Sequence, residues 1–548
     1  MPPPGQYRGG VPRPLTFAIR TVAAGLFGFG LSCAFDPVGM PYLVPLCLAA
    51  LALCLRGLRA RAGFVVALVF GGCFYFTHIW WMKESIGAAA WLGLAGVETL
   101  FIGLFGAVAA VLLRLRLWPA WLAIAWTGVE VVRSEWPFSG MPWGRLGFAA
   151  VDTPVAPALA YVGINGVTLL VALLGFLLAR LVLSTRGERL PAVAAVVLVA
   201  AAMLTPAVHP FELKDDGEVT VAAVQGSVPG RGNDILADYR GVTENHTEAT
   251  VALAQRVRLG EVSAPDFVLW PENATAVDPV LDTRTRELID TAVQAIGVPI
   301  LVGAIVDDGP DHVLNQGIVW NPGTGPAERY TKWHPVPYGE YIPFRAQMER
   351  FGLTERGQLA RIGRDMRSGR NTEPISIAGI EVADSICFDI AYDDVFATQI
   401  EHGAQLVVVQ TSNASFVFTD QLEQQFAITR ARAIESGKAT VVASTNGITG
   451  AIGPDGEVAD RTQRLVQDVV VETLPLRSGV TPGTRIGRVL RLLTPAGTLL
   501  ALLFGVVTYR LRHDRRPRSR PGTGARDHGD SDLQRAGEPS VGDRTAAP

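Results

Sequence analysis

The sequence predicts two architectures in one chain: a multi-pass α-helical membrane domain of about eight transmembrane helices, and an α/β layered domain held outside the membrane. Three observations carry this. The 548 residues are 49% hydrophobic and only 18% charged, with a mean hydropathy of +0.27, which is the balance of a membrane protein. Apolar runs crowd the first 210 residues, and one more, "LLTPAGTLLALLFGVVTY", lies near the C-terminus. Between them, residues 217–485 alternate β-rich runs with helical patterns.

Seven runs within residues 1–210 read as spanning helices, at about 15–35, 40–55, 63–82, 88–113, 118–134, 155–183 and 190–207. The runs at 40–55 and 118–134 are short. An eighth, at about 492–509, fills a closing segment 490–511. Arginines report the sidedness. Arg8, Arg13 and Arg20, then Arg56, Arg59 and Arg61, then Arg114 and Arg116, then Arg186 and Arg189, and the tail from Arg510 to Arg520 all fall on one side if the N-terminus is cytoplasmic. Seven crossings then put 217–485 on the extracytoplasmic face and return both termini to the cytoplasm. "RIGRVLR" at 485–491 departs from this pattern, since it falls at the outer interface. The first run has no small-residue cleavage site and reads as a retained anchor. Residues 512–548, basic and rich in Gly and Pro, read as a disordered cytoplasmic tail. Trp80, Trp81, Trp136 and Trp143 fall at predicted membrane interfaces. A net charge of −3 gives no basic field for nucleic acid.

In the outer domain, strands are predicted at 219–225, 266–272, 299–306, 317–321, 380–388, 405–413 and 440–446, and helices at 235–259, 281–296 and 420–437. Functional groups in layered α/β folds sit at the C-terminal ends of strands. Glu272, Cys387 and Asn413 occupy such ends.

Cysteine use narrows the chemistry. Cys33, Cys47, Cys54 and Cys73 lie in apolar segments, whereas Cys387 stands alone in the polar half with no internal disulfide partner. A thiol acts as a nucleophile at neutral pH when a base takes its proton or a cation lowers its pKa. Glu272 in "VLWPEN" supplies a base, and Lys332 in "RYTKWHPVPYGEYIPF" supplies a cation for a thiolate and an oxyanion. Only Lys83, Lys214, Lys332 and Lys438 are lysines in an Arg-rich chain. His334 and His402 have no strand-end context. Taken singly, each residue has a plain explanation: a small buried thiol, a turn carboxylate, a solvated cation. Their order and contexts together point to a site. No Cys/His ligand spacing suggests a metal, and no cofactor is expected. "NAT" at 273–275 and "NAS" at 413–415 match a glycosylation pattern but sit at the proposed strand ends.

"VLWPENA", "KWHPVPYGEYIPF", "ICFD", "QTSNASF" and "RARAIESGKATVVASTNGITGAIGPDG" together resemble the nitrilase superfamily and its Glu-Lys-Cys triad. With "FDPVGMPYLVP" and "MPWGRLGFA" in the membrane part, residues 15–510 resemble the apolipoprotein N-acyltransferase family. The resemblance implies a nitrilase-like αββα sandwich with Glu272 as general base, Lys332 as oxyanion stabiliser and Cys387 as acylated nucleophile. It adds Glu340, Phe388 and Asp389 as supporting residues. It also implies a ping-pong transfer from a phospholipid acyl donor to a diacylglyceryl apolipoprotein acceptor in a bacterial cytoplasmic membrane. Relatives in some actinobacteria associate with a polyprenol-phosphate mannose synthase, a family-level partner candidate. The alternative reading is a membrane-tethered amidase or hydrolase, in which water replaces the amine. A catalytically silent scaffold is the third, and the intact triad argues against it. The chain departs from the family in having Phe388-Asp389 for Tyr-Glu, "SNASF" for Asn-Asp-Ala-Trp, Gln425 for His, and no Trp after "QGSVP". "HPVPYGEYIPFR" reads as a lid punctuated by Pro and Gly.

Overall fold

The computed structural model describes residues 14–355 and 357–514. The first region is helical: α1 (Pro14–Ser32), α2 (Leu43–Leu55), α3 (Ala60–His78), α4 (Trp81–Ser85), α5 (Ala88–Leu112), α6 (Trp118–Glu135), α7 (Leu159–Leu183) and α8 (Arg186–Val208). The second region holds α9 (Tyr239–Arg258), α10 (Thr283–Ile296), α11 (Arg345–Arg350), α12 (Asp394–Glu401) and α13 (Gln421–Ser436), and α14 (Pro482–Asp514) closes the described chain. From Val506 on, the described residues are the end of α14 and form a separate small unit. Of the expected tail at 512–548, residues 512–514 end α14 and 515–548 lie outside the described residues.

Six helices among the described residues are long and apolar enough to cross a membrane: α1, α3, α5, α7, α8 and α14. Two of the expected spans differ. With 13 residues, α2 is about 20 Å long, short of a hydrocarbon core of about 30 Å. In α6 the obstacle is charge. Its Arg133 pairs with Glu98 at 3.3 Å and donates to the carbonyls of Met141 (2.8 Å) and Trp143 (2.9 Å). Its Glu130 accepts from Trp126 Nε1 (2.9 Å) and from the Leu146 amide (3.1 Å). These charges fasten the "MPWGRL" loop instead of facing lipid. The closing helix begins at Pro482, so "RIGRVLR" forms its first turns, where Arg488 pairs with Glu401 (2.6 Å) and Arg491 pairs with Glu135.

The second region builds two sheets. The first contains β1 (Lys214–Gln225), β2 (Phe267–Leu269), β3 (Ile300–Asp307), β4 (His312–Asn321), β5 (Gly325–Thr331) and β6 (Asp365–Met366). The second contains β7 (Ile375–Ile377), β8 (Ile380–Ile386), β9 (Leu406–Thr411), β10 (Thr440–Ser444), β11 (Gly450–Ile452) and β12 (Val458–Arg461). β13 (Asp468–Ser478) returns to the first sheet, whose order is β13-β1-β2-β3-β4-β5 with β6 beside β4; the second runs β12-β11-β10-β9-β8-β7. β1-β2-β3 and β8-β9-β10 are parallel.

Alternation along each strand sets the layers. Val221, Leu269, Leu301 and Val319 of the first sheet meet Val382, Ile386, Leu406 and Val408 of the second in one core. The outer face of the first sheet packs on Leu253 of α9 and Ile289 of α10. Val407 and Val409 turn outward and join Phe396 of α12 and Ile428 of α13. This is an αββα sandwich. Its α13 layer shares a continuous core with Trp143, Phe148 and Ile164 of the helical region.

The strand expectations need trimming. β2 is three residues long, β8 stops at Ile386, and β5 and β13 were not predicted. β5 and β13 are the two edges of the first sheet, where solvent-facing side chains break the apolar alternation.

Candidate active site

Parallel strands deliver their C-terminal ends to one side of the sandwich. Glu272 lies just past β2, Cys387 directly follows β8, and Ser412 and Asn413 follow β9. Lys332 directly follows β5. Asn273 (φ 57°), Cys387 (φ 55°) and Asn413 (φ 54°) are all left-handed. For a residue with a Cβ this stores on the order of 1–2 kcal/mol, and the surrounding fold must impose it.

Lys332 is fully buried and Glu272 nearly so. Lys332 Nζ donates to Glu272 Oε1 (3.0 Å) and to Glu340 Oε1 (2.6 Å). Glu272 Oε1 also accepts from Asn315 Nδ2 (2.7 Å), and Oε2 accepts from the Ser412 amide (2.9 Å). The Val336 amide holds Glu340 Oε2 at 2.8 Å. Burial disfavours the Lys332 cation, but Glu272 and Glu340 outweigh it and raise its pKa well above that of an ordinary lysine. Burial first, and then the Glu272 charge, push the Cys387 thiol up; Lys332 and the Thr411 hydroxyl pull the other way and lose. Burial also raises the Glu340 carboxyl, against the pull of Lys332. The resting arrangement is therefore a thiol beside a lysine cation pinned between carboxylates.

The supporting residues divide into two roles. Asp389 is a strut between loops. Its Oδ2 accepts from the Tyr330 hydroxyl (2.9 Å) and the Trp333 amide (3.0 Å), and its Oδ1 accepts from the His334 amide (2.8 Å). It thus pins the segment after Lys332 to the turn after Cys387. Phe388 is a wall: its ring stacks on Trp143 at 5.6 Å and 16°. The segment read as a lid is tied down at Glu340, and its Tyr338 and Phe344 rings lie against Phe138 of the helical region. Of the two histidines, His334 bonds Asp394 (2.9 Å) and His402 faces Glu373 (2.9 Å). Asn413 is buried, with its Nδ2 spent on Gln421 and Gln425.

Several residues here, Gln425 excepted as a departure from the family pattern, were not legible in the sequence. Asn315 holds the proposed base. Gln425 Nε2 donates to the Cys387 carbonyl (3.3 Å) and to the Thr411 hydroxyl (3.2 Å). Its neighbour Gln424 accepts from the indoles of Trp81 (2.9 Å) and Trp143 (2.7 Å) and donates to the carbonyls of Asp36 (2.9 Å) and His78 (3.2 Å). These two tryptophans, expected at a membrane interface, are buried against α13. A second cluster follows the nucleophile turn. Arg432 donates to the Ile390 (2.9 Å) and Ala391 (2.8 Å) carbonyls and pairs with Asp393 (2.7 Å) and Glu435 (2.5 Å). Arg145 and Asn165 complete it on the helical side, at 2.8 Å and 3.1 Å from Asp393. Gly163 breaks α7 at φ 69°, which frees the Ile164 amide to donate to Glu435 (2.9 Å). A buried Asn on β4 and a Gln-Gln pair on α13 were the available signals, since such polar groups need partners when buried.

A two-sheet sandwich gathering a carboxylate, a lysine and a cysteine at its strand ends defines a carbon–nitrogen hydrolase domain, and the "Carbon-nitrogen hydrolase" family model matches residues 220–479. The "Apolipoprotein N-acyltransferase N-terminal domain" model matches residues 27–177. An apolipoprotein N-acyltransferase of Mycolicibacterium smegmatis is 34% identical over 506 residues, covering 88% of this chain and 84% of that one. One of Ralstonia nicotianae is 28% identical over 515 residues, covering 88% and 92%. The chain belongs to the apolipoprotein N-acyltransferase family. Among solved structures, an amidase from Nesterenkonia sp. AN1 is 15% identical and covers 48% of this chain and 94% of that one, at a TM-score of 0.36 that adds nothing to the assignment.

Proposed function

We propose that this chain transfers an acyl group from a membrane phospholipid, through a thioester on Cys387, to the N-terminal amine of diacylglyceryl-cysteine apolipoproteins. The observation that carries the reading is Lys332, buried between Glu272 and Glu340 on the side of the sandwich where Cys387 ends its strand, in a chain of this family. Because the thiol rests protonated, Glu272 takes its proton as Sγ attacks the ester carbonyl. Lys332 stabilises the tetrahedral oxyanion. Collapse breaks the C–O bond, and the lysophospholipid alkoxide leaves with the proton from Glu272. In the second half, the neutral amine attacks the thioester carbonyl and Glu272 takes its proton. The C–S bond then breaks, the amide forms, and the proton returns to the Cys387 sulfur.

The architecture that serves this chemistry has about eight crossings of the cytoplasmic membrane, with both termini inside and the catalytic domain on the extracytoplasmic face. Its parts are a helical domain at 1–210, the catalytic domain at 217–485, a closing helix at 490–511 and a tail at 512–548. Two lipid-borne substrates in one leaflet explain why the domain is held by many helices rather than one. The test is purified protein in detergent with labelled phospholipid, with Cys387→Ala as control. The expected result is a hydroxylamine-sensitive acyl adduct on the wild type that a lipopeptide amine discharges. No adduct sinks the acyltransferase reading; discharge by water alone assigns the hydrolase.

A further inference from the structure

Asp384 is three residues before Cys387 and shares the inward parity of Val382 and Ile386, so it points into the apolar interior between the sheets. It is fully buried, as is Gln410 on β9. Neither carboxyl oxygen of Asp384 has a hydrogen-bond partner of good geometry, nor does Oε1 of Gln410. Three acceptor atoms therefore crowd one buried place. They crowd it closely: a methyl added to Gly317 of β4 would lie 2.2 Å from Asp384 Oδ2 and 2.5 Å from Gln410 Oε1. Glycine at 317 is what leaves room for them. The charges acting on Asp384 are those of Asp389 and Glu272, with the Tyr330 hydroxyl of β5 also nearby. Among the described residues no cation acts on it.

An ionised carboxylate in such a place has only the Ser385 amide to set against its desolvation. A proton on it resolves both problems, because a carboxylic acid is a donor and Gln410 Oε1 needs one. The other end of Gln410 is already committed, with Nε2 donating to the Trp270 carbonyl at 2.6 Å, two residues before Glu272.

We infer that Asp384 is a proton-bearing positioning residue: its acid hydrogen bonds Gln410 Oε1, and the chain Asp384–Gln410–Trp270 ties the strand ending at Cys387 to the strand ending toward Glu272. The pair also limits the charge beneath the site. An ionised Asp384 would stand against the charges of Asp389 and Glu272 with no cation of its own to answer them. Burial, and then Asp389, raise the Asp384 carboxyl well above its ordinary range. The inference takes from the Glu272–Lys332–Cys387 reading only the identity of what is positioned.

The test is Asp384→Asn in the full chain in detergent, with Asp384→Ala beside it. An unfolded aspartate titrates near about 3.9. The folded one keeps its proton to higher pH, so across that window the wild type loses stability as pH rises. Asparagine has no such proton but can donate to Gln410. The difference in Tm, Asp384→Asn minus wild type, is therefore expected to grow in the variant's favour from about pH 4 upward. The infrared carbonyl stretch of a protonated carboxyl should be present in wild type and in Cys387→Ala, and absent from Asp384→Asn. Acyl-adduct formation should slow about tenfold in Asp384→Ala and recover in Asp384→Asn. Loss of stability in Asp384→Asn that deepens with rising pH, or an unchanged infrared band, would overturn the inference. A water in the Gly317 gap bonded to an ionised Asp384 predicts that reversed sign. The infrared and stability readouts do not depend on acyl transfer, so they stand or fall apart from the catalytic reading.

Discussion

The chain buries two polar clusters on either side of the nucleophile turn, and they are built in opposite ways. Before and around Cys387, one cation, Lys332, faces Glu272, Glu340 and Asp389. After it, Arg145 and Arg432 face Asp393 and Glu435, two charges against two, and Asn165 and backbone carbonyls fill the remaining valences. In the first cluster burial pushes the thiol and Glu340 up, while Lys332 is held as a cation against it by Glu272 and Glu340. In the second, burial raises the Glu435 carboxyl as well, but at Asp393 Arg145 and then Arg432 overcome burial and hold that carboxyl far below its ordinary range. An unbalanced cluster can pass a proton between members; a balanced one holds its members still. The first suits chemistry, and the second joins the catalytic turn to the break in α7.

The largest effects should fall on the unbalanced cluster. Cys387→Ala, Glu272→Gln and Lys332→Met are each expected to lower acyl-adduct formation by on the order of 10³-fold or more, because residues acting as a unit fail together. A residual rate near wild type in any of them, read by labelled-lipid transfer, would separate that residue from the chemistry. Glu340→Gln should cost about 10²-fold by loosening Lys332. It also carries a pH signature. Since the Glu340 pKa is raised, it takes up its proton at a higher pH than an ordinary glutamate, and wild-type adduct formation should fall on the acid side through that step. The neutral glutamine should lack the step.

The balanced cluster should answer in stability. Breaking a buried pair by removing one partner typically costs about 3–5 kcal/mol. Asp393→Ala should therefore lower the thermal midpoint in detergent sharply at neutral pH. Its carboxyl is depressed in the fold, so its stabilisation is present above the unfolded value of about 3.9 and is lost as pH falls toward the folded one. The gap between wild type and Asp393→Ala should narrow on acidification. A gap independent of pH would mean that the arginines do not hold Asp393 as a charge.

The same contrast governs what the sequence could disclose. Glu272 and Cys387 stand beside predicted strand ends, and Lys332 stands in a motif, so local context singled them out. The αββα layering was likewise legible, because the inner strands β3, β9 and β10 are mostly apolar runs. Arg432 and Asp393 carry no local mark; their meaning comes from Arg145 and Asn165, more than 200 residues away. Asn315 is one of several polar residues in β4, and only the fold shows that it faces Glu272. The expected spans at α2 and α6 fall outside the six long apolar helices for different reasons. One is too short, and the other spends Glu130 and Arg133 on holding a loop.

The smallest expected effect lies where the two clusters meet. Phe388 belongs to the nucleophile turn but stacks on Trp143, which is itself bonded to Gln424 of α13. The ring also meets Tyr392 edge-on at 5.4 Å, just before Asp393. An aromatic pair is worth about 0.5–1.5 kcal/mol beyond its area. Phe388→Leu keeps the bulk and loses the stacking, so kcat/KM for acyl transfer should drop about fivefold, with the thermal midpoint nearly unmoved. Phe388→Tyr retains both ring contacts and should stay within about twofold of wild type. If Phe388→Leu instead behaved like Asp393→Ala, losing stability with an acid-dependent gap, the wall and the junction would be one structural unit. Position and chemistry would then not be separable at this turn.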